Sequence, residues 1–565
     1  MPVDYAIEES ADHLYGSNFS TPNARYQRNW KALDRQFDLW KDIYVEVADY
    51  IALGRGRFMD RGELPNQRTR AAQKVINATA TDALHMLGSG LHGGLSSPAR
   101  PWFQLQFSDP RMNRYRLARE WLDECEKIMY AHMKRSNFYG IVHLVYEEIA
   151  GFGTGSLLVD AVASGLMFRY FTAGDYRFVV GDDNLTSQWY RKFRMQACSV
   201  VSLFGEEAIT EKVKNLLKSN PYEWVNLIHV IEPNAAHDPE KLDSKPINSI
   251  YFEAAENERR LSTAGYYEMP AVTPRWQALS NESYGWGPGL EALGLAKSVQ
   301  RKEKQKFMAS DKSIDPPLAV PPSMKDRMLD LSPGAKNIYE PREGEPKPLV
   351  NVDLSALAYY DNSIDRLEQR IRSMFFNDLF LIISQKDTRM TATEVLARNE
   401  EKMLMIGPTI ERLEYEFLDP IVARVFNILM RQGRLPQPPA DIHNAEYEIE
   451  YISVLAQAQK LVNQQTMDSY LITAERVAAM APESLVKTNW DKFLEEKADV
   501  VSLPAKLLRS GEEVDEIRAA EQARLAQVEE LAQTEAEYGN LKTLSETQTG
   551  GGSNALVDLQ QSLEG

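Results

Sequence analysis

Residues 384–436 read SQKDTRMTATEVLARNEEKMLMIGPTIERLEYEFLDPIVARVFNILMRQGRLP. Thr391 and Glu394 have the Thr-x-x-Glu spacing of a capping box, in which each end of the motif satisfies a backbone N–H at a helix start. Ile406, Ile410, Leu413, Phe417, Ile421, Val425 and Ile428 then recur at intervals of three and four, the spacing of one helix face. Gly433 and Pro436 supply the stop. About 40 residues of uninterrupted helix would run roughly 60 Å. Pro408 and Pro420 fall inside the run, and a proline there removes a backbone donor, so kinks or joints are expected. An element of this length reads as a strut.

At 565 residues the chain holds several structural units. Its 43% hydrophobic and 26% charged content are those of an ordinary globular protein. No apolar run approaches a membrane span and the N-terminal stretch is acidic, so neither a span nor a signal peptide is expected. Two cysteines, Cys125 and Cys198, make neither a disulfide framework nor a zinc site. A net charge of −17 argues against a protein that grips nucleic acid through its phosphates.

The fold class that the pattern predicts is α+β, mainly helical. Thr21-Pro22 is a helix start. Trp30, Leu33, Phe37, Trp40, Tyr44, Val47 and Ile51 follow as an apolar seam closed by Gly54, which reads as a core helix. Residues 66–95 predict a second helix ending in the glycine-rich LGSGLHGGLSSP, where His92-Gly93-Gly94 reads as a turn. Further helices span about 111–136 and up to about 150. Short strands are expected from Gly155 to Phe204 and again at 222–232, 249–256 and 261–276. Helix resumes over 284–309, a proline-rich excursion fills 310–353, and a helix begins at Ser355 with Leu357, Tyr360, Ile364, Leu367, Ile371 and Met374 in rhythm. EYEIEYI reads as a strand, helices continue to about Tyr538, and the glycine-rich end reads as a linker. The acidic run between Gly511 and Asn540 reads as a solvated helix face.

Catalytic motifs are missing. Gly151-Phe-Gly-Thr-Gly155 lies between helix and strand, the reverse of the order that a dinucleotide loop needs. The dipeptide Gly-Lys never occurs, which excludes a Walker A loop, and no Gly-x-Ser-x-Gly elbow or His-Glu-x-x-His pair is present. Asp182-Asp183 reads as a turn. No cofactor or metal is expected, and the chain does not read as an enzyme. Between Lys297 and Arg327, eight basic residues outnumber four acidic ones, so a locally cationic helix stands out from an acidic chain.

Three stretches in order, Tyr284-Gly-x-Gly-Pro288 with its helix, Arg389-Met-Thr-Ala-Thr-Glu-Val395 with Leu435-Pro436, and SLPAKLLRSGEEVDEIRAA, resemble the head-to-tail connector, or portal, proteins of short-tailed (podovirus-type) bacteriophages. The resemblance covers about residues 20 to 530. It implies a homo-oligomeric ring of twelve subunits at one capsid vertex of the virion, assembled in the host cytoplasm. Double-stranded DNA would be packaged and ejected through its channel. The implied partners are the terminase packaging motor, tail adaptor proteins, and the major capsid and scaffolding proteins; no membrane is involved.

The resemblance also implies domains. They are a wing over 1–283, stem helix 1 over 284–309, a clip over 310–353, stem helix 2 over 354–380 and a tunnel loop over 381–392. A long kinked helix over 393–449, a helical crown over 450–540 and a flexible tail over 541–565 complete the subunit. The implied channel residues are Ser384, Gln385, Lys386, Asp387, Thr388, Arg389 and Met390 in the loop, with Lys302, Lys304 and Lys306 on the stem. Twelve single lysine–phosphate contacts would give a salt slope of about −11, too firm a hold for sliding DNA. A ring carrying roughly −200 in total would instead repel and guide the duplex. A different virion ring component, such as a tail adaptor, and a soluble enzyme with an unrecognised site are the competing readings.

Overall fold

The seam on the first long helix is core. In the computed structural model, α1 (Ala24–Tyr50) buries Trp30, Phe37, Tyr44 and Val47, and Ile51 follows, fully buried. The structure describes residues 23–58, 75–109, 112, 116–162, 165–241, 244–255, 259–280, 282–314, 317–320, 342, 347–348, 354–384, 405–439, 447–452, 470–476, 488–500, 511–546, 548–549, 553–554 and 559–562. They fall into two compact units, the first of Met1–Leu105, Leu122–Gln437 and Tyr447–Ser469, the second of Gln106–Trp121, Pro438–Glu446 and Tyr470–Gly565.

In the first unit, α2 (Thr79–Leu95) and α4 (Phe138–Phe152) pack together, with β1 (Phe103–Phe107) and α3 (Arg116–Arg135) between them in the chain. The helix ends at Leu95 as expected, and His92-Gly93-Gly94, read as a turn, is instead part of its last helical turns. Two earlier glycines of α2 are there for closeness: a Cβ on Gly88 would stand 2.4 Å from Glu147 Cγ, and one on Gly90 2.3 Å from the Phe380 ring.

The two larger sheets are antiparallel. One has the order β3 (Gly165–Phe171), β2 (Ser156–Val162), β9 (Ala271–Val272). The other runs β4 (Tyr176–Val180), β5 (Thr186–Gln196), β6 (Trp224–Pro233), β7 (Ile247–Glu253), β8 (Ser262–Tyr266). Side chains alternate between its faces. Tyr190, Ile228, Val230, Ile250 and Phe252 pack with Tyr26 and Trp30 of α1. Phe193, Val225 and Leu227 pack with Val200, Ile209 and Val213. Val200 and Val213 mark two helices the sequence pattern does not predict, α5 (Ala197–Phe204) and α6 (Glu211–Ser219), and Ile209 lies between them. The strand expectation ran through Phe204 because ACSVVSLF is apolar and β-branched; burial of Ala197 and Val200 on one helical stripe wins over that propensity.

The helix expected over 284–309 runs further than expected, as α7 (Pro288–Ile314). Of the proline-rich excursion the described part pairs β10 (Leu318–Ala319) with β11 (Lys347–Pro348). The helix expected over 354–380 is broken, into α8 (Leu354–Met374) and α9 (Asn377–Ser384), by Phe376 at φ 53, a backbone state rare outside glycine. So residues 381–384, read as loop, end a helix; Thr391 and Glu394 lie outside the described residues.

The strut is corrected most. Its described part, α10 (residues 405–431), buries all seven face residues, Ile406 through Ile428, together with Thr409, Glu416 and Arg424. It is a core helix. Arg424 Nε donates to Val159 O at 2.9 Å, tying it to β2. The expected joint at Pro420 takes the form of a π turn over Glu414–Leu418, where Asp419 N–H reaches back five residues to Glu414 O. Asp419 and Pro420 then open the closing α-helical part, so the missing proline donor falls where the ladder is already shifted. The expected strand at EYEIEYI is β12 (Tyr447–Tyr451).

The second unit contains α11 (Trp490–Val500) and α12 (Gly511–Glu546), which continues past Tyr538. Arg518 makes a two-pronged ion pair with Asp491 at 2.8 and 2.9 Å, and Phe493 packs against Tyr470 and Trp490. Ile517, Leu525, Val528 and Leu531 of α12 are exposed. Among the described residues no helix is long and apolar enough to cross a membrane.

Candidate functional site

Two glycine runs that are far apart in sequence meet at the start of α7. Gly151-Phe-Gly-Thr-Gly155 ends α4, with Gly153 in the left-handed region at φ 77. Gly285-Trp-Gly-Pro-Gly289 starts α7. A Cβ on Gly289 would lie 2.2 Å from Gly151 O, one on Gly287 2.8 Å from Gly153 Cα, and one on Gly285 2.4 Å from Gly153 O. Gly285 N–H donates to Thr154 Oγ1 at 2.8 Å, and Trp276 N–H to Gly153 O at 2.9 Å. The run is thus a joint between two backbones, and neither phosphate nor nucleotide is needed to explain its glycines.

Arg275 clamps that joint to the π turn of α10. Its N–H and Nε donate to Glu416 Oε2 at 3.1 and 3.0 Å, and its Nη2 to Oε1 at 2.8 Å. Nη1 and Nη2 also reach Glu282 O and Asn184 O at 3.0 and 3.2 Å. Both side chains are nearly inaccessible, at 2% and 5% exposure, so the charge survives burial only because its donors are met.

Beyond the joint, the buried residues of α7 end at Gln300. Gln300 accepts from Ile76 N–H at 2.7 Å and Asn77 N–H at 3.0 Å, and Asn77 Nδ2 donates to Glu303 and Glu368 at 3.1 and 2.7 Å. Of the sequence-predicted stem residues, Lys302 donates to Ser363 Oγ and lies 5.9 Å from the Tyr360 ring, while Lys306 pairs with Asp361. Both face α8 of the same chain. Lys304 is exposed and so is Arg301, as are Arg366 and Arg370 on α8. Of the loop residues, Ser384 ends α9, and Gln385, Lys386, Asp387, Thr388, Arg389 and Met390 lie outside the described residues.

The helix leading into that loop rests on a polar knot. Phe380 of α9 sits on Gly90, one turn from His85 and Ser89 of α2. Glu147 bonds His85 Nδ1 at 2.6 Å and pairs with Arg55, which also reaches Glu148 at 3.3 Å. Tyr170 and Thr172 each donate to Glu148 at 2.8 Å. Burial raises the Glu148 pKa against the pull of Arg55, and burial lowers those of His85 and His143, pushing His92 down to about 4. Arg55, His85, Glu147, Glu148, Tyr170 and Thr172 form a network that fixes α2 to α4. Sequence reasoning missed both this knot and the Arg275–Glu416 clamp, because single ionisable residues carry no periodic signal.

The model of a family described as bacteriophage head to tail connecting protein matches residues 23–508. The chain is 32% identical over 554 residues to a probable portal protein of Bordetella phage BPP-1, covering 95% of this chain and 97% of that protein. It is 32% identical over 542 residues to a portal protein of Salmonella phage epsilon15, covering 94% and 96%. Among solved structures, a chain of the virion of a native gene transfer agent particle aligns at TM-score 0.33 and 11% identity, over 76% of this chain and 90% of that one. A chain of the neck of an empty particle of the same kind aligns at 0.34 and 11%, over 78% and 94%.

Proposed function

The chain belongs to the bacteriophage head-to-tail connecting proteins, and on that premise we propose that twelve copies form a ring at one capsid vertex through which double-stranded DNA is packaged and ejected. It is a phage portal and a component of the virion, a structural protein and not an enzyme. The observation that carries the reading is the match to two phage portal proteins over almost their whole length and almost all of this chain. In the ring, residues 1–283 are the wing, α7 and α8 the stem, 310–353 the clip and 450–540 the crown. The clip docks a terminase motor, which supplies the packaging energy, and later the tail adaptors; capsid and scaffolding proteins surround the wing.

Lys304, not Lys302 or Lys306, is the stem lysine best suited to meet DNA, because the other two already serve α8. With Arg301 it places a cationic band in an acidic wall, which steers the duplex and leaves it free to slide. The segment Ser384–Met390 is the tunnel loop that touches passing DNA, and its first residue, Ser384, ends the short helix α9.

Averaged negative-stain images of the purified protein should show rings with a central hole; a stable monomer of 64.2 kDa would overturn the reading. Deleting 385–390 should leave ring assembly intact while lowering packaged DNA at least tenfold in a packaging assay. Loss of the ring itself would show that this segment holds subunits together instead.

A further inference from the structure

Arg191 lies on the face of the five-stranded sheet that carries Phe193, in a cross-strand row with Tyr176, His229 and Tyr251. Its guanidinium stands over two rings, 4.5 Å from the centroid of Phe171 and 4.3 Å from that of Phe193. Aromatic faces attract the cation and fix its plane, but they accept none of its in-plane N–H groups. Nε is shielded from solvent and has no hydrogen-bond partner, and no carboxylate among the described residues comes within ion-pair distance of the group.

The neighbours account for the vacancy. Two more arginines, Arg57 and Arg169, share the electrostatic surroundings of Arg191, as does Asp175. Asp175 already pairs with Arg57 at 3.6 Å and Asp160 with Arg169 at 3.5 Å. Three guanidinium groups therefore meet two carboxylates. His229 is stacked flat on Tyr251 at 3.7 Å between centroids and bonded to Ser249, and burial holds it neutral, so it brings no countercharge. Because Nε is shielded while the residue as a whole is only partly buried, it is the Nη1–Nη2 end of the fork that an oxyanion meets with two parallel N–H···O bonds.

We propose that Arg191, flanked by Arg57 and Arg169, is a binding site for one oxyanion of the carboxylate or phosphate class. The site stands apart from the stem and the loop, and does not depend on how DNA passes through the ring. Phosphate would come from a free or esterified phosphate, and carboxylate from an acidic side chain of another protein; the two sources separate experimentally.

Thermal unfolding of the full-length protein should be followed while sodium phosphate, and in a second series sodium succinate, replaces sodium chloride at fixed ionic strength and pH. A saturable rise in midpoint of a few degrees is expected with at least one anion. It should be absent in Arg191→Gln and reduced in Arg191→Lys, which keeps charge but loses the fork. Saturation with phosphate alone identifies a phosphate site, and saturation with succinate identifies a carboxylate site. A rise that never saturates in the wild-type protein, or that is unchanged in Arg191→Gln, overturns the proposal; the wild-type series decides by itself if the variants do not fold.

Discussion

Replacing Gly289 with alanine is expected to remove folded protein from the soluble fraction. The added methyl would stand 2.2 Å from Gly151 O and 2.8 Å from Gly151 C and Cα, inside the contact distance of any carbon. All three obstructing atoms are backbone, so no side chain can swing aside, and relief requires prising α7 from the end of α4. We expect a loss above about 4 kcal/mol, in the range reserved for overpacked cores. Gly294 supplies the control five residues along the same helix, where an added Cβ meets nothing within 4 Å. Gly294→Ala should stabilise by about 0.5–1 kcal/mol through helix propensity alone. Soluble yield and thermal midpoints compared between the two variants test the joint. Equal behaviour would mean that the two backbones are not in contact.

Glu416→Gln carries the second large effect. It leaves the Arg275 guanidinium buried with its countercharge gone, a change that costs about 3–5 kcal/mol in comparable buried pairs. Replacing both partners by apolar side chains, as in Arg275→Met with Glu416→Leu, should recover part of that loss. Recovery stops short of completion because Glu282 O and Asn184 O would lose their donor. Denaturant midpoints of the two single variants and the double variant measure the coupling. A cost under about 1 kcal/mol for Glu416→Gln would show that water reaches the pair.

How much of this was legible depended on the kind of signal. Periodic burial was readable: the seam on α1 and the seven-residue face of α10 are buried as their spacing predicts, because a repeat of three and four residues follows directly from helix geometry. Glycines were visible and their purpose was not. Gly88 and Gly90 stood out only as part of a glycine-rich helix end, yet each is small so that Glu147 or Phe380 can approach. Whether a glycine frees the backbone or vacates space depends on a partner that local sequence does not name. The same holds for the two glycine runs that meet at the start of α7, and for Arg275 and Glu416, which lie 141 positions apart. Ser384 was placed one step too early into a loop because NDLFLIIS is short, and its helix exists through Phe380 packing on α2. Of the ten channel residues inferred from the family resemblance, Lys302 and Lys306 turn to their own subunit, since the phase of a solvated helix face is not written in its charges.

The π turn in α10 has a bearing on how that helix keeps its phase. Along its buried face the steps from Leu413 to Phe417, Ile421 and Val425 are all of four residues. Each such step overshoots a regular turn by about 40°, so three in succession would rotate the stripe by about 120° and lift Val425 off the core. Five residues wound more loosely, Glu414–Leu418, absorb that drift as a vernier does. Everything downstream, including Arg424 and its bond to β2, inherits its angular setting from this one slack turn. Loss of a single residue between 414 and 418 would let this turn close to a regular α turn and leave the remaining half near its present setting, whereas the same loss elsewhere in the helix would swing that half through about 100°. In this chain, the winding of one turn sets which residues the rest of the helix presents to its core.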